Sequence, residues 1–131
     1  MFLNLINKEE KENFLELVYK IASCDDEFSE EEEEILNNYK LELGIDTVPD
    51  TKPAEELIAY FADRETQLKK VVFFELYGMI MADGMVVDDE NAMLEKIKEA
   101  FALGNQAYAD MMAAADGLQK AYDAVYTAIF D

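Results

Sequence analysis

Apolar residues recur along the chain at spacings of three and four, and no window alternates apolar with polar residues, so the pattern predicts helices and no strand. A first helix is expected from about Lys8 to Cys24. Asn7 caps it with Glu10 three residues on, and Phe14, Leu17, Val18, Ile21 and Ala22 form its inward stripe. Ser29 and Glu32 form a second capping box, opening a helix with Ile35, Leu36, Tyr39 and Leu43 inward and Gly44 as its left-handed stop. Beyond a connector from Ile45 to Lys52, Pro53 suits the first turn of a short third helix carrying Leu57, Ile58, Tyr60 and Phe61. Asp63 is expected to end that helix and cap the next. The fourth, from about Arg64 to Ala82, is apolar on most sides and is expected to be the central, most buried element. The fifth runs from about Asp89 to Leu103 with Met93, Leu94, Ile97 and Phe101 inward and Gly104 as its stop.

The last stripe, Tyr108, Met111, Met112, Ala115, Leu118, Tyr122, Val125, Tyr126 and Ile129, keeps phase across Gly117. It predicts one long helix over about 105–130, in which Asp116-Gly117 marks the point where a bend or break would fall, since glycine inside a helix costs about 1 kcal/mol against alanine.

Shifting the chain against itself by 58 residues exposes a repeat. Tyr19 falls on Tyr77, Asp25 on Asp83, Glu32 on Glu90 and Lys40 on Lys98. Phe14, Val18, Ile21, Phe28, Ile35, Leu36, Tyr39 and Leu43 fall on Val72, Leu76, Met79, Val86, Met93, Leu94, Ile97 and Phe101 without a gap. Two amphipathic helices match in phase by chance, but not across a loop of equal length. Units 14–43 and 72–101 are therefore expected to be helical hairpins related by a pseudo-twofold axis, each burying the face that the other covers. The fold class that follows is a single all-α domain over 1–131, a bundle of about six or seven helices.

Composition narrows what such a bundle does. The chain has 131 residues, 51% of them hydrophobic, enough for one core. No run of about 18 apolar residues is present, and Met1-Phe2-Leu3-Asn4-Leu5-Ile6 leads into Lys8-Glu9-Glu10-Lys11, so neither a membrane span nor a signal peptide is expected. A single cysteine, Cys24, with no histidine anywhere, leaves no disulfide and no soft metal site, which suits a cytoplasmic protein. Thirty acidic residues against 11 basic give a net charge of −19, which repels nucleic-acid phosphates. Such a surface attracts cations or a basic segment of another protein; the same excess of carboxylates also serves solubility alone.

Acids crowd the two hairpin bends. The second reads Ala82-Asp83-Gly84-Met85-Val86-Val87-Asp88-Asp89-Glu90, and the first Cys24-Asp25-Asp26-Glu27-Phe28-Ser29-Glu30-Glu31-Glu32. A helix ending Ala-Asp-Gly, followed by an apolar residue, a Ser or Asp and a Glu, resembles the TerB-like family, named for tellurite resistance protein B. The likeness extends from helix 1 to helix 5; Asp26 stands in place of the glycine in the first bend, and Val87 in place of the usual cap residue in the second. The resemblance implies an all-helical bundle in a bacterial cytoplasmic protein, associated with tellurite or other stress responses and with metal ions. The domain is also similar to one in membrane-anchored DnaJ-type co-chaperones, but without histidine the chain holds no His-Pro-Asp of a J-domain.

Three chemistries compete for these residues. Asp25, Asp26, Glu27 and Glu30, with Asp83, Asp88, Asp89 and Glu90, supply the oxygen ligands that calcium or magnesium prefers. Counted as EF-hand loops they fail, since the twelfth positions are Leu36 and Leu94, and the helix dipole alone accounts for acids in a first turn. Weak divalent-cation binding and a solvated helix start both remain open. The second chemistry is docking of a basic or amphipathic protein segment. Seven methionines suit an adaptable surface, although Met79, Met81, Met93, Met111 and Met112 sit on core-like stripes. The third, catalysis, lacks histidine, a phosphate loop and an activated thiol, because Cys24 faces a helix's negative end and neighbouring acids. The sequence therefore points to a non-catalytic acidic interaction or stress-response module without a cofactor, with weak cation binding as the alternative.

Overall fold

A computed structural model describes residues 3–23, 30–80 and 88–131 of the chain. A 3-10 turn at Leu3–Leu5 precedes six α-helices among the described residues: α1 (Lys8–Ala22), α2 (Glu30–Leu43), α3 (Ala54–Ala62), α4 (Thr66–Ile80), α5 (Asp88–Ala100) and α6 (Asn105–Phe130). No strand occurs among them, as the three-four spacing requires.

Local chemistry explains most of the boundaries. Asn7 and Glu10 close a reciprocal capping box on α1, the Glu10 amide donating to Asn7 Oδ1 at 2.8 Å and the Asn7 amide to Glu10 Oε1 at 2.9 Å. Pro53 holds the cap position of α3 rather than its first turn, and Asp63 closes that helix. Asp63 does not also cap α4. Arg64 and Glu65 intervene, and it is the Glu65 carbonyl that accepts the first helical bond, from the Lys69 amide at 3.0 Å.

The helices that end the two hairpins stop in the same way. At the end of α2 the Ile45 amide donates to the Lys40 carbonyl and the Gly44 amide to that of Leu41; at the end of α5, Leu103 donates to Lys98 and Ala102 to Glu99. Both are Schellman closures, with an apolar residue just beyond the left-handed one. Gly44 has φ 70°, and its counterpart 58 residues on is Ala102 at φ 55°. The stop of α5 is therefore Ala102, not Gly104, which instead sits extended at the cap of α6. Composition misleads here because glycine is favoured in the left-handed region without being obligatory.

The shift of 58 carries α1 onto α4 residue for residue and α2 onto α5 to within one residue. Burial follows it. Phe14, Val18, Ile21, Leu36, Tyr39 and Leu43 are all buried, as are Val72, Leu76, Met79, Leu94, Ile97 and Phe101. Within each unit the two helices pack on each other, and α3 bridges between α1, α4 and α5.

The central helix is α1, not α4 as the sequence pattern suggests. Phe14, Leu15, Leu17, Val18 and Ile21 are closed to solvent, and so are the polar Asn13 and Glu16. α1 packs against α2, α3, α4 and α5. Most of α4 is equally apolar, but Val71, Phe74 and Tyr77 stay half-exposed and Gly78 open. The difference lies in what closes each helix's outer face. On α1, the Glu16 carboxylate accepts the amides of Thr51 at 2.9 Å and Lys52 at 2.6 Å, while the Lys52 ammonium donates to Asn13 at 2.8 Å. The connector is thus hydrogen-bonded onto α1. The counterparts of Asn13 and Glu16 on α4 are Val71 and Phe74, which are left lining an apolar groove between α4 and α6.

Three outcomes follow for thermal and urea denaturation. Ala102→Gly, relieving a left-handed alanine, should raise stability by about 1 kcal/mol, and Gly44→Ala should lower it by about as much. A Cβ at Gly44 meets no atom within 4 Å, so that loss is purely one of backbone conformation. Glu16→Gln removes a buried charged acceptor from two amides and should cost about 1–3 kcal/mol.

Candidate functional site

Of the eight acidic residues that the sequence nominates as ligands, Asp25, Asp26, Glu27 and Asp83 lie outside the described residues. Asp88, Asp89 and Glu90 form the first turn of α5, and their side chains lie outside as well. Glu30 begins α2 with its side chain exposed.

Many of the scarce basic groups are held on the body. Lys20 pairs with Asp50, Lys96 with Glu55 at 3.2 Å, Arg64 with Glu9 at 3.9 Å, and Lys120 with Asp116 at 3.0 Å. Arg64 also stacks over the Tyr60 ring and Lys98 over the Tyr108 ring, each 4.1 Å from the centroid. Exposed acids such as Glu33 and Glu34 on α2 outnumber them and leave the surface strongly negative.

The most unusual surface is α6. It runs 26 residues without interruption through Gly117, yet buries none of them fully. Its first half is anchored: Tyr108 meets Phe73 edge-on at 5.8 Å, and Met111, Ala114 and Leu118 face Val71 and Phe74 of α4 across an apolar groove that Leu5 also lines. On the other flank of α6, Leu118 and Tyr122 overlook a second groove floored by Ile35 and Tyr39 of α2 and by Phe74, Gly78 and Met79 of α4. Beyond it the helix leaves the body. Tyr122, Val125, Tyr126, Ile129 and Phe130 are between 55% and 68% exposed, five large apolar side chains within nine residues. Isolated exposed hydrophobics are ordinary, but a contiguous set marks an interaction surface.

The periodic stripe identified that face as apolar without saying what covers it. A finer signal was present. Tyr108, Met111, Ala115, Leu118, Tyr122, Val125 and Ile129 alternate steps of three and four, a heptad seam, and Ala107, Ala114, Ala121 and Ala128 recur beside it every seventh residue.

At the floor of the second groove, the Tyr39 hydroxyl donates to Glu75 Oε2 at 2.8 Å. Both side chains are buried, and Phe14 packs edge-on against the Tyr39 ring at 5.3 Å. Burial, reinforced by the Glu75 carboxylate, pushes the phenol far above its ordinary range, so it stays a donor. The pair joins α2 to α4 across the two repeat units.

Comparison with protein-family models, with curated proteins and with solved structures returns no match.

Tyr39→Phe keeps the ring and removes the donor from a buried carboxylate. The variant should lose about 1–3 kcal/mol in denaturant melts, with far-UV circular dichroism unchanged at low temperature.

Proposed function

We propose that the protein is a non-catalytic interaction module that docks an amphipathic helical segment along α6. The observation that carries this reading is the run from Tyr122 to Phe130, whose apolar side chains stand open where α6 leaves the body. An amphipathic helix lays its own stripe into such a surface through contacts at three-four spacing. Grooves on either flank of Leu118 extend the surface back onto α4. The net charge of −19 favours a segment with basic flanks and speeds its capture.

The absence of histidine and of a phosphate loop supports a role without catalysis. The bend Ala82-Asp83-Gly84 and its acidic sequel support placement beside TerB-like proteins, and with it a bacterial cytoplasmic stress-response role. No described helix is long and apolar enough to cross a membrane.

A fluorescent synthetic helix with a leucine stripe flanked by lysines is a suitable probe. Its anisotropy should rise on titration with the protein, and the affinity should fall as salt is raised. Tyr126→Asp together with Ile129→Asp should weaken binding by roughly 30-fold or more, the loss of more than 2 kcal/mol expected of central apolar contacts. Absence of binding at low salt, or equal binding by the double variant, would refute the proposal.

A further inference from the structure

This inference rests on the reading of α6 as a face that docks an amphipathic helix, and replaces the basic-flanked segment with a helix whose paired face is uncharged. We infer that the occupant is α6 of a second copy, the two helices pairing antiparallel along the stripe from Leu118 to Ile129. The first ground is the seam itself. Tyr122 and Ile129 hold one heptad column and Leu118 and Val125 the other, so the face is complementary to its own copy. An antiparallel pair stacks Leu118 against Ile129 of the second copy and Tyr122 against Val125 of the second copy, giving four apolar layers by symmetry.

The second ground lies beside the seam. Ala121 and Ala128 occupy one flanking column, and Gln119 and Tyr126 the other. Neither column carries a charge, so nothing there opposes self-pairing or selects a differently charged helix. Alanine lets two backbones approach closely, and an interaxial distance near the short end of about 8–10 Å is set by such side chains.

The third ground is area. At roughly 60% exposure each large side chain keeps on the order of 100 Å² open, so the four on or beside the seam, Tyr122, Val125, Tyr126 and Ile129, offer on the order of 400 Å² per copy. A pair then buries on the order of 800 Å², the size of a weak, reversible interface.

Electrostatics chooses the direction. Of the net −19, residues 105–131 carry four aspartates and one lysine, leaving most of the charge on the body. A parallel pair would set two strongly acidic bodies side by side. In an antiparallel pair they sit at opposite ends of the paired stretch, whose 12 residues from Leu118 to Ile129 span about 18 Å, about two Debye lengths in physiological salt. Antiparallel pairing also opposes the two helix dipoles.

Sedimentation of the full chain over a concentration series tests the pairing. The mass should double from 15.0 kDa, and the dimer should tighten as salt screens the bodies, opposite to the trend for the lysine-flanked helix. Val125→Asp should give a monomer with unchanged helicity. Ala121→Leu should weaken the dimer by roughly 10-fold through lost close approach, even should the aspartate variant fold poorly. Mixing Gln119→Cys and Tyr126→Cys chains should give the mixed disulfide, because those two positions face each other only in the antiparallel pair; cross-links of like with like would overturn the direction. A wild-type monomer at all concentrations that still binds the lysine-flanked helix would overturn self-pairing and leave the docking face standing. A monomer that binds neither would overturn both.

Discussion

Burying α1 on most of its circumference is the constraint from which the rest of the arrangement follows. A helix enclosed by four others cannot keep its polar side chains in water, and Asn13 and Glu16 are as closed to solvent as the leucines beside them. A buried carboxylate is tolerable only when hydrogen-bonded, and Oε2 of Glu16 accepts both the Thr51 and the Lys52 amide. The connector between the two repeat units is therefore not a free loop. It is drawn across α1 as that helix's outer cover, which fixes where α3 begins and so where the second unit docks.

The second unit solves the same problem differently. Where α1 has Asn13 and Glu16, α4 has Val71 and Phe74, and the chain that faces them, across an apolar groove, is a helix, α6, through Met111 and Leu118. A hydrogen-bonded strap ends once its acceptors are filled. A helix that packs through apolar side chains does not, because its stripe continues in phase whether or not a surface remains beneath it. α4 is too short to cover 26 residues, so α6 meets the core through Tyr108 and Met111 near its start, and the stripe from Tyr122 to Phe130 is left with the same chemistry and largely open.

That division sets two forces against each other. A body carrying most of a net charge of −19 repels other acidic surfaces over about 8 Å in physiological salt. An apolar rod gains roughly 25 cal/mol for each Å² it removes from water, by a force that does not discriminate between partners. Together they admit contacts made along the rod and oppose contacts made by the body, apart from those with a basic flank. Tyr39 and Glu75, buried under the groove where the rod departs, tie α2 to α4 at the base of that lever.

Much of this was written in local signals. The Asn7–Glu10 box, the closing Asp63, the left-handed Gly44 and the uninterrupted helix through Gly117 all depend on residues within a few positions of one another, so the amino-acid sequence determined them by itself. It did not distinguish Gly104 from Ala102 as the stop of α5, because either can occupy a left-handed position and only the bonds from Leu103 and Ala102 choose. Nor did it rank α1 above α4 as the central helix, or separate the covered from the bare half of α6. An apolar stripe states what a face would bury, while what reaches that face comes from segments 35 or more residues away, such as Thr51 above Glu16. Coverage is a property of the assembled chain, and only the tertiary structure decided it.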